Sequence, residues 1–328
     1  LQWDISYLYQ YGNKMPDYGI PMIVNGTASM ANPSLPITEF GIPRTNFYGK
    51  QQDHDVTHSH SLTSNLRWEV NENFTLHNDT RLSYDTRDFA GSVPGCDAGC
   101  ATAFFAGLPT TISGYGGGNP TYVQRSFALQ NITTGVADVD TGNIRHQIVG
   151  GLDVYHLSNE RDHYTVTGKV LADLYNHASS FAAPYTVSPA PTTLRRGQST
   201  NVAVFLSDRV WFTDQFSLLA GLRYDVFDTA FSSTDVGTGV TTAVSYSIGF
   251  LSPKASLIWE PTPNQTYYAS WAQSTTPSGM FATNANDAIS AAQASTTPET
   301  ANSYEIGGKI DLLERRLGLT AALYRVDK

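Results

Sequence analysis

The sequence is poor in charged residues and has no long uninterrupted apolar run. Asp, Glu, Lys and Arg make up 15% of the 328 residues, below the quarter usual for globular proteins, while the apolar share is ordinary. This composition excludes disorder driven by charge. The lack of any apolar stretch of about 18 residues excludes a helical membrane protein, in line with a mean hydropathy of -0.25. A membrane β-barrel remains possible, because its strands alternate apolar and polar residues.

Basic residues and cysteines are also scarce. Twenty Lys and Arg against 29 Asp and Glu give a net charge of -9. This balance argues against nucleic acid as a partner, although an acidic surface can still hold a basic pocket. The two cysteines, Cys96 and Cys100, lie four residues apart in a glycine-containing stretch. The spacing suits a local disulfide in an exposed loop and an oxidising compartment. Two free thiols are the alternative, and a metal site is less favoured because no second ligand pair lies nearby.

Strict apolar and polar alternation begins at the first residue and recurs along the chain. Leu1, Trp3, Ile5, Tyr7 and Tyr9 share one face of a period-2 strand. The pattern predicts about eleven strands, at 1–11, 53–70, 74–89, 121–138, 144–158, 200–212, 216–230, 246–260, 265–274, 299–312 and 317–328. Residues 121–138 alternate poorly. The length suits two soluble domains or one large β-barrel, and the missing leader at Leu1 suggests a piece of a longer protein.

Short turns alternate with long polar segments between these strands. The long segments are 12–50, 90–120, 159–199, 231–245 and 275–298, and short helices are expected within 165–180 and 287–294. Loops of this length are usually functional. Aromatic residues gather where strands meet the short turns, as in the interfacial belts of outer-membrane barrels: Trp68, Phe74, Trp211, Phe212, Phe216, Trp259, Tyr267 and Tyr268. A membrane barrel is therefore favoured over a soluble β-sandwich, and the odd strand number predicts about half of a larger barrel.

Several short motifs in the predicted strands and turns resemble those of a known family. They include Tyr268-Ala-Ser-Trp-Ala, Pro298-Glu, Tyr304-Glu-Ile-Gly-Gly-Lys309 and Leu323-Tyr-Arg325. In this order they resemble the barrel of TonB-dependent siderophore receptors, and the resemblance is greatest to receptors of the catecholate type. The resemblance covers most strands and fades in the long segments.

The resemblance implies an antiparallel transmembrane β-barrel of 22 strands in the bacterial outer membrane. Residues 1–328 would be a partial barrel domain, without the N-terminal plug, the TonB box and the last strands. The receptor would import a ferric siderophore, with energy from the TonB–ExbB–ExbD complex acting through the plug. Its apolar face would meet outer-membrane lipid and lipopolysaccharide. No tightly bound cofactor is implied beyond the ferric siderophore as cargo.

An anionic ferric catecholate needs basic and aromatic side chains at the long segments. Segment 159–199 nets +1 and carries Arg161, Lys169, Arg195 and Arg196, and segment 12–50 also nets +1 and carries Arg44. Aromatic companions are Tyr115, Tyr122 and Tyr164. Taken singly, each of these side chains is also what an ordinary solvated loop carries.

Two other classes of site fit the sequence less well. His54, His58 and His60 share one strand face, but parity places them with Leu62 and Leu66 on the lipid side, where a polar collar at headgroup level is favoured over a metal site. No catalytic Gly-x-Ser-x-Gly or His-Glu-x-x-His motif is present. An outer-membrane barrel enzyme, a porin-like channel and a soluble carbohydrate-binding β-protein stay open as alternatives.

Overall fold

Eleven strands form one antiparallel sheet in which each strand pairs with the next along the chain. The computed structural model describes residues 1–116, 120–277 and 297–328. The predicted all-β fold and the number of strands in the sheet are confirmed. The strands are β1 Gln2–Lys14, β2 His54–Asn71, β3 Phe74–Ala90, β4 Thr121–Thr141, β5 Ile144–His163, β6 Thr193–Trp211, β7 Phe216–Asp235, β8 Thr241–Thr262, β9 Gln265–Thr276, β10 Glu299–Leu312 and β11 Leu317–Asp327.

Strands extend further toward the long segments than the sequence predicted. The segment 159–199 shortens to 164–192 because β5 runs to His163 and β6 starts at Thr193. The prediction of a long loop at 231–245 is wrong, since β7 and β8 join through residues 236–240. There the Asp235 carboxylate accepts a hydrogen bond from the backbone N–H of Thr238 at 2.8 Å, which closes a tight turn.

The pairing register sorts the side chains onto two faces, because directly paired residues point to the same side. The polar face carries Asn201, Ala203 and Asp225, and the apolar face carries Val204 and Leu206. Leu206 is 58% exposed and Leu257 is 51% exposed, whereas a soluble sandwich buries its apolar face against a second sheet. The apolar face is therefore available for contact with an apolar solvent and is not covered by a second sheet.

The apolar face of β3 and β4 carries a closed set of polar side chains. The Asn78 amide donates to Thr133 Oγ1 at 2.8 Å and to Asn131 Oδ1 at 3.3 Å. The Asn131 amide donates to Thr80 Oγ1 at 2.7 Å and to Asn78 Oδ1 at 3.3 Å. Both threonine hydroxyls donate back to the asparagine oxygens. These residues explain the poor alternation of β4, because mutual hydrogen bonds remove the cost of polar groups on an apolar surface.

The aromatic belt is only partly as predicted. Phe216 stacks on Trp259 with centroids 5.9 Å apart, and Trp259 lies 5.4 Å from Tyr267. These three rings lie on the apolar face near the short turns. Trp211 and Tyr268 instead lie on the polar face, where Trp211 pairs with Arg145 and Tyr268 donates a hydrogen bond to Glu305. Their assignment to the belt was wrong, because proximity to a turn does not fix the parity of a position.

The three longest connections pack together over one end of the sheet. We call the described residues 15–53, 91–116 and 164–192 the cap. It has its own buried apolar core, formed by Ile23, Ile37, Ile42, Tyr48, Cys100, Ala101, Phe104, Ile112, Ala172 and Leu174. The connections are therefore ordered by their own packing and by contacts with the strand ends.

The cap contains one α-helix, α1 at Ala98–Phe105, which the sequence did not predict. Asp97 caps its N-terminus by accepting from the Cys100 N–H at 2.9 Å. The predicted disulfide Cys96–Cys100 is confirmed in the structure. The helix expected within 165–180 is reduced to a 3-10 turn at His177–Ser180, and the one at 287–294 lies outside the described residues. No helix of the described residues is long and apolar enough to cross a membrane.

Candidate functional site

A row of three arginines and one glutamine crosses four adjacent strands on the polar face, directly below the cap. Arg87 on β3 pairs with Gln124 on β4, Gln124 pairs with Arg161 on β5, and Arg161 pairs with Arg195 on β6. We call these four residues the mouth row. Neighbouring strands lie about 4.8 Å apart, so the row places three guanidinium groups within a short span of the polar face.

Two aromatic rings lie between the guanidinium groups of the mouth row. Phe89 and Tyr122 stack with their centroids 5.1 Å apart at 24°. The guanidinium carbon of Arg87 lies 4.6 Å from the Phe89 centroid, and that of Arg161 lies 4.2 Å from the Tyr122 centroid. The result is an Arg–Phe–Tyr–Arg stack, in which cation–π attraction fixes the planes of both cations.

Each arginine of the mouth row is held in a different way. Arg87 donates two hydrogen bonds to the buried Asp55 carboxylate, at 2.7 and 3.0 Å. Arg161 donates two to the amide oxygen of Gln124, from Nε at 3.2 Å and from Nη2 at 2.7 Å. The Nε of Arg195 is buried and has no hydrogen-bond partner within the described part of the chain. An unpaired buried donor costs about 1–3 kcal/mol, which an incoming acceptor would recover.

The opposite face of the same strands neutralises its own arginines. Arg196 lies 2.8 Å from one Asp162 oxygen, and Arg125 lies 3.1 Å from the other. Glu160 lies within 3.9 Å of both guanidinium groups. The carboxylates of residues 160 and 162 therefore pair on the apolar face, while Arg161 and Arg195 project from the polar face.

A second polar cluster lies inside the cap. The Lys50 ammonium, on a residue with 0% exposure, donates to the carbonyl of Val170 at 2.5 Å and to that of Ser180 at 2.7 Å. Burial lowers the pKa of Lys50 to about 8. The carbonyls belong to the third connection and Lys50 to the first, so this ammonium joins two segments of the cap.

Asp53 and Lys169 extend this cluster toward the strand ends. Asp53 accepts from Ser92 Oγ at 3.0 Å and from the Tyr185 hydroxyl at 3.2 Å. Lys169 donates to Ser92 Oγ at 2.9 Å and lies 5.4 Å from the Tyr115 centroid. Burial raises the pKa of Tyr115 to about 12. Asp53, Ser92 and Lys169 come from the three different connections, and the cluster fastens them together.

The structure brings only part of the predicted site together. Tyr122, Arg161 and Arg195 lie in or beside the mouth row, all on strands, although Arg161 and Arg195 were predicted within the long segment 159–199. Arg196 is one position from Arg195 but faces the apolar side. The remaining predicted residues lie in the cap, with Lys169 and Tyr115 in its polar cluster, Arg44 exposed, and Tyr164 half-buried just after β5.

Arg87, Phe89 and Gln124 are site residues that the sequence reasoning missed. Arg87 and Phe89 continue the odd-numbered polar face of β3 that also carries Arg81 and Asp85. Following that parity to the end of the strand would have identified Arg87. The alignment of Gln124 between two arginines depends on the register of three strands, which one sequence does not specify.

No group of three or more potential metal ligands occurs among the described residues. The Nδ1 atoms of His58 and His60 instead form hydrogen bonds with the hydroxyls of Tyr9 and Tyr7, at 2.9 and 2.7 Å. All four side chains lie on the apolar face, as parity predicts. The arrangement matches a polar and aromatic collar at the upper end of the strands.

A family model described as "TonB dependent receptor-like, beta-barrel" matches residues 3–328. The chain belongs to the TonB-dependent receptor β-barrel family. Members of this family are outer-membrane β-barrels. The family accounts for the pairing of consecutive strands and for short turns at one end with long connections at the other.

Individual relatives of this TonB-dependent receptor chain are known as siderophore receptors. It is 26% identical over 360 residues to the catecholate siderophore receptor Fiu of Escherichia coli K12, covering 98% of this chain and 45% of Fiu. It is 24% identical over 345 residues to the probable TonB-dependent siderophore receptor PiuA of Acinetobacter baumannii, covering 99% of this chain and 44% of PiuA. The chain therefore spans about half the length of these relatives.

Solved structures show the same fold. The crystal structure of the ferric-catecholate import receptor Fiu from E. coli K12 in its closed form matches with a TM-score of 0.78 at 23% identity. The match covers 99% of this chain and 48% of that one. PiuA from A. baumannii matches with a TM-score of 0.73 at 20% identity, over 98% and 47% of the two chains.

Proposed function

We propose that this chain is part of the barrel of an outer-membrane receptor that captures a ferric siderophore, of the catecholate type, for TonB-energised import. The observation that carries the proposal is the mouth row, where two arginines flank the stacked rings of Phe89 and Tyr122 beside Arg195. A ferric catecholate is an anionic complex with aromatic ligands. Guanidinium groups donate to the oxygens of such a complex, and the two stacked rings hold Arg87 and Arg161 in position.

The two faces of the sheet support the rest of the proposal. The exposed apolar face would meet lipid, the histidine–tyrosine collar and charged residues above it would meet headgroups and lipopolysaccharide, and the polar face would line the lumen. β1 and β11 are the edges of the sheet, and unpaired edges are not tolerated in lipid. Residues 1–328 would thus be one partial barrel domain, completed by further strands to about 22.

The remaining parts of the import system would lie outside these residues. A plug domain would fill the lumen and connect the receptor to TonB, ExbB and ExbD. Binding and passage of the cargo need no covalent change, so the receptor would act without a catalytic centre and without a resident cofactor. The family match favours this function over a barrel enzyme, a porin-like channel or a soluble carbohydrate-binding protein.

Binding by the full-length receptor in detergent tests the proposal. We would titrate a ferric tris-catecholate and the iron-free catechol ligand separately and follow quenching of tryptophan fluorescence. We expect saturable binding of the ferric complex and at least tenfold weaker binding of the iron-free ligand. Equal and weak binding of both would contradict the assignment to a ferric siderophore.

A further inference from the structure

The two aromatic rings at the mouth row are already covered, although the proposed cargo is itself aromatic. Phe89 is 2% exposed and Tyr122 is 7% exposed. The two rings stack on each other, and the guanidinium groups of Arg87 and Arg161 lie against them. A catechol ring of the cargo therefore finds no free face on either ring. An aromatic contact with the cargo has to come from another residue.

Tyr18, in the first connection of the cap, presents such a ring beside this stack. It meets Phe89 edge to face, with centroids 6.2 Å apart at 83°, which is a favoured aromatic geometry. Gly91 leaves room for the ring, because a Cβ at this glycine would lie 2.7 Å from Tyr18 Cε2. Tyr18 nevertheless stays 46% exposed. The strand end thus holds one side of the ring and leaves much of the rest open.

Short-range contacts hold Tyr18 in this place. The Asp17 carboxylate accepts a hydrogen bond from the Gly19 N–H at 2.8 Å, and Gly19 has a φ of 75°, so Tyr18 is the central residue of a tight turn. Just before the turn, the Lys14 ammonium lies 3.4 Å from the Asp55 carboxylate, which also binds the first arginine of the mouth row. The turn that carries Tyr18 is therefore anchored next to the mouth row.

The hydroxyl of Tyr18 is also available to a ligand. Within the part of the chain that the structure describes, it forms no hydrogen bond. Burial raises the pKa of this phenol, and Tyr122, Arg87 and Asp55 also act on it electrostatically, which places the hydroxyl within range of the mouth row. It is protonated near neutral pH and can donate to an oxygen of an anionic complex.

We propose that Tyr18 is a ligand-contact residue of the receptor, which stacks on a catechol ring of the ferric siderophore while the arginines of the mouth row bind its oxygens. This inference rests on the proposed function, because it assumes that the cargo reaches the mouth row. The row crosses three strand spacings, about 14 Å between its end strands, and a tris-catecholate carries three rings around one iron. One ring can therefore lie against Tyr18 beside Arg87 while the oxygens of another face Arg195.

Tyr18→Leu in the full-length receptor is the direct test, since leucine keeps an apolar side chain and removes the ring. We would measure the Kd of a ferric tris-catecholate at two salt concentrations. We expect a loss of about five- to tenfold that is equal at both salt concentrations, and Tyr18→Phe should stay within about threefold of the wild type. Tyr175→Leu is the matched control, because Tyr175 is 57% exposed on the cap but packs on Phe104 of α1; its Kd should stay within about twofold of the wild type.

Salt dependence separates a ring contact from a structural role. If Tyr18→Leu acted by displacing Phe89 and Arg87, its loss would shrink at high salt, as for loss of a charge, and the ring contact would be refuted. Tyr18→Asn, with a residue that turns favour, gives the same readout if Tyr18→Leu does not fold. A folded variant that binds within twofold of the wild type would refute the role of Tyr18 while the receptor assignment stands. If the wild type binds no ferric tris-catecholate, the receptor assignment fails and takes this inference with it.

Discussion

Arg195 and Arg196 are adjacent in the chain and project from opposite faces of β6, which makes them a matched pair for testing the mouth row. Arg195 points to the polar face, and its Nε is buried with no hydrogen-bond partner within the described residues. Arg196 points to the apolar face and pairs with Asp162 at 2.8 Å. Substituting each with alanine removes the same side chain and the same charge from two sides of one strand.

We expect Arg195→Ala to weaken binding of a ferric tris-catecholate by about 10- to 150-fold. A charge-assisted hydrogen bond contributes about 1.5–3 kcal/mol, and each 1.4 kcal/mol corresponds to a tenfold change in Kd. The Coulomb attraction between unit charges about 5 Å apart, at an effective dielectric constant of about 20, is about 3 kcal/mol. Screening and the loss of like-charge repulsion from Arg161 both reduce that figure, so the hydrogen-bond range is the better guide.

Arg196→Ala should leave the Kd within about twofold, because the lost cation faces away from the mouth row. In this variant Asp162 keeps its ion pair with Arg125. The variant should therefore still fold and run as a heat-modifiable band on gels. The assay is fluorescence titration of the full-length receptor at two salt concentrations, with the loss in Arg195→Ala smaller at high salt. Equal losses in both variants would refute the assignment of the polar face as the ligand side.

Three further predictions follow from other parts of the structure. The pKa of Lys50 is about 8 in the folded cap, below its ordinary value of 10.5. Between these pH values the unfolded state binds more protons than the folded state, so the stability of the cap should rise with pH, on the order of 2 kcal/mol. Hydrogen exchange of cap amides from pH 7 to 10 should show this rise in the wild type and a smaller rise in Lys50→Met. Asn78→Leu should destabilise the barrel by about 1–2 kcal/mol in urea, because it removes one hydrogen-bond partner each from Asn131, Thr80 and Thr133 on an apolar face. Asn78→Leu with Asn131→Leu should cost less than the sum of the two single losses, and additive losses would contradict the closed network. Alkylation without reductant, followed by mass measurement, should leave Cys96 and Cys100 unlabelled, and full labelling would show that the disulfide is absent in the protein.

The sequence predicted the middle of the strands well. It predicted the strand ends next to the long connections poorly, for a physical reason. Alternation is strong where one face is apolar, as at Val202, Val204 and Leu206. Residues 159–163, 193–199 and 241–245 are strand as well, but both of their faces are mostly polar, so the period-2 signal disappears beyond the apolar band. The predicted loop boundaries therefore fall where the solvent of the outer face changes, and not where backbone pairing ends.

The site was predictable in its chemistry but not in its geometry. Arg161, Arg195 and Tyr122 were identified as basic and aromatic candidates, and the register places them together. Arg196 was grouped with them because side chains in a loop do not alternate between two faces. On a strand, adjacent residues such as Arg195 and Arg196 point to opposite faces. Gln124 was not identified, since a glutamine is informative only once its neighbours across two strands are known.

The start of β2 ties the cap to one side of the mouth row. Asp53 anchors the polar cluster of the cap through Ser92 and Tyr185, and Asp55, two residues further along, holds Arg87. Arg195 lies on β6 and Arg161 is oriented by Gln124 on β4, so both depend on strands that do not carry these aspartates. The cap and Arg87 are therefore coupled through the start of β2, while Arg161 and Arg195 are positioned by the pairing of β4, β5 and β6.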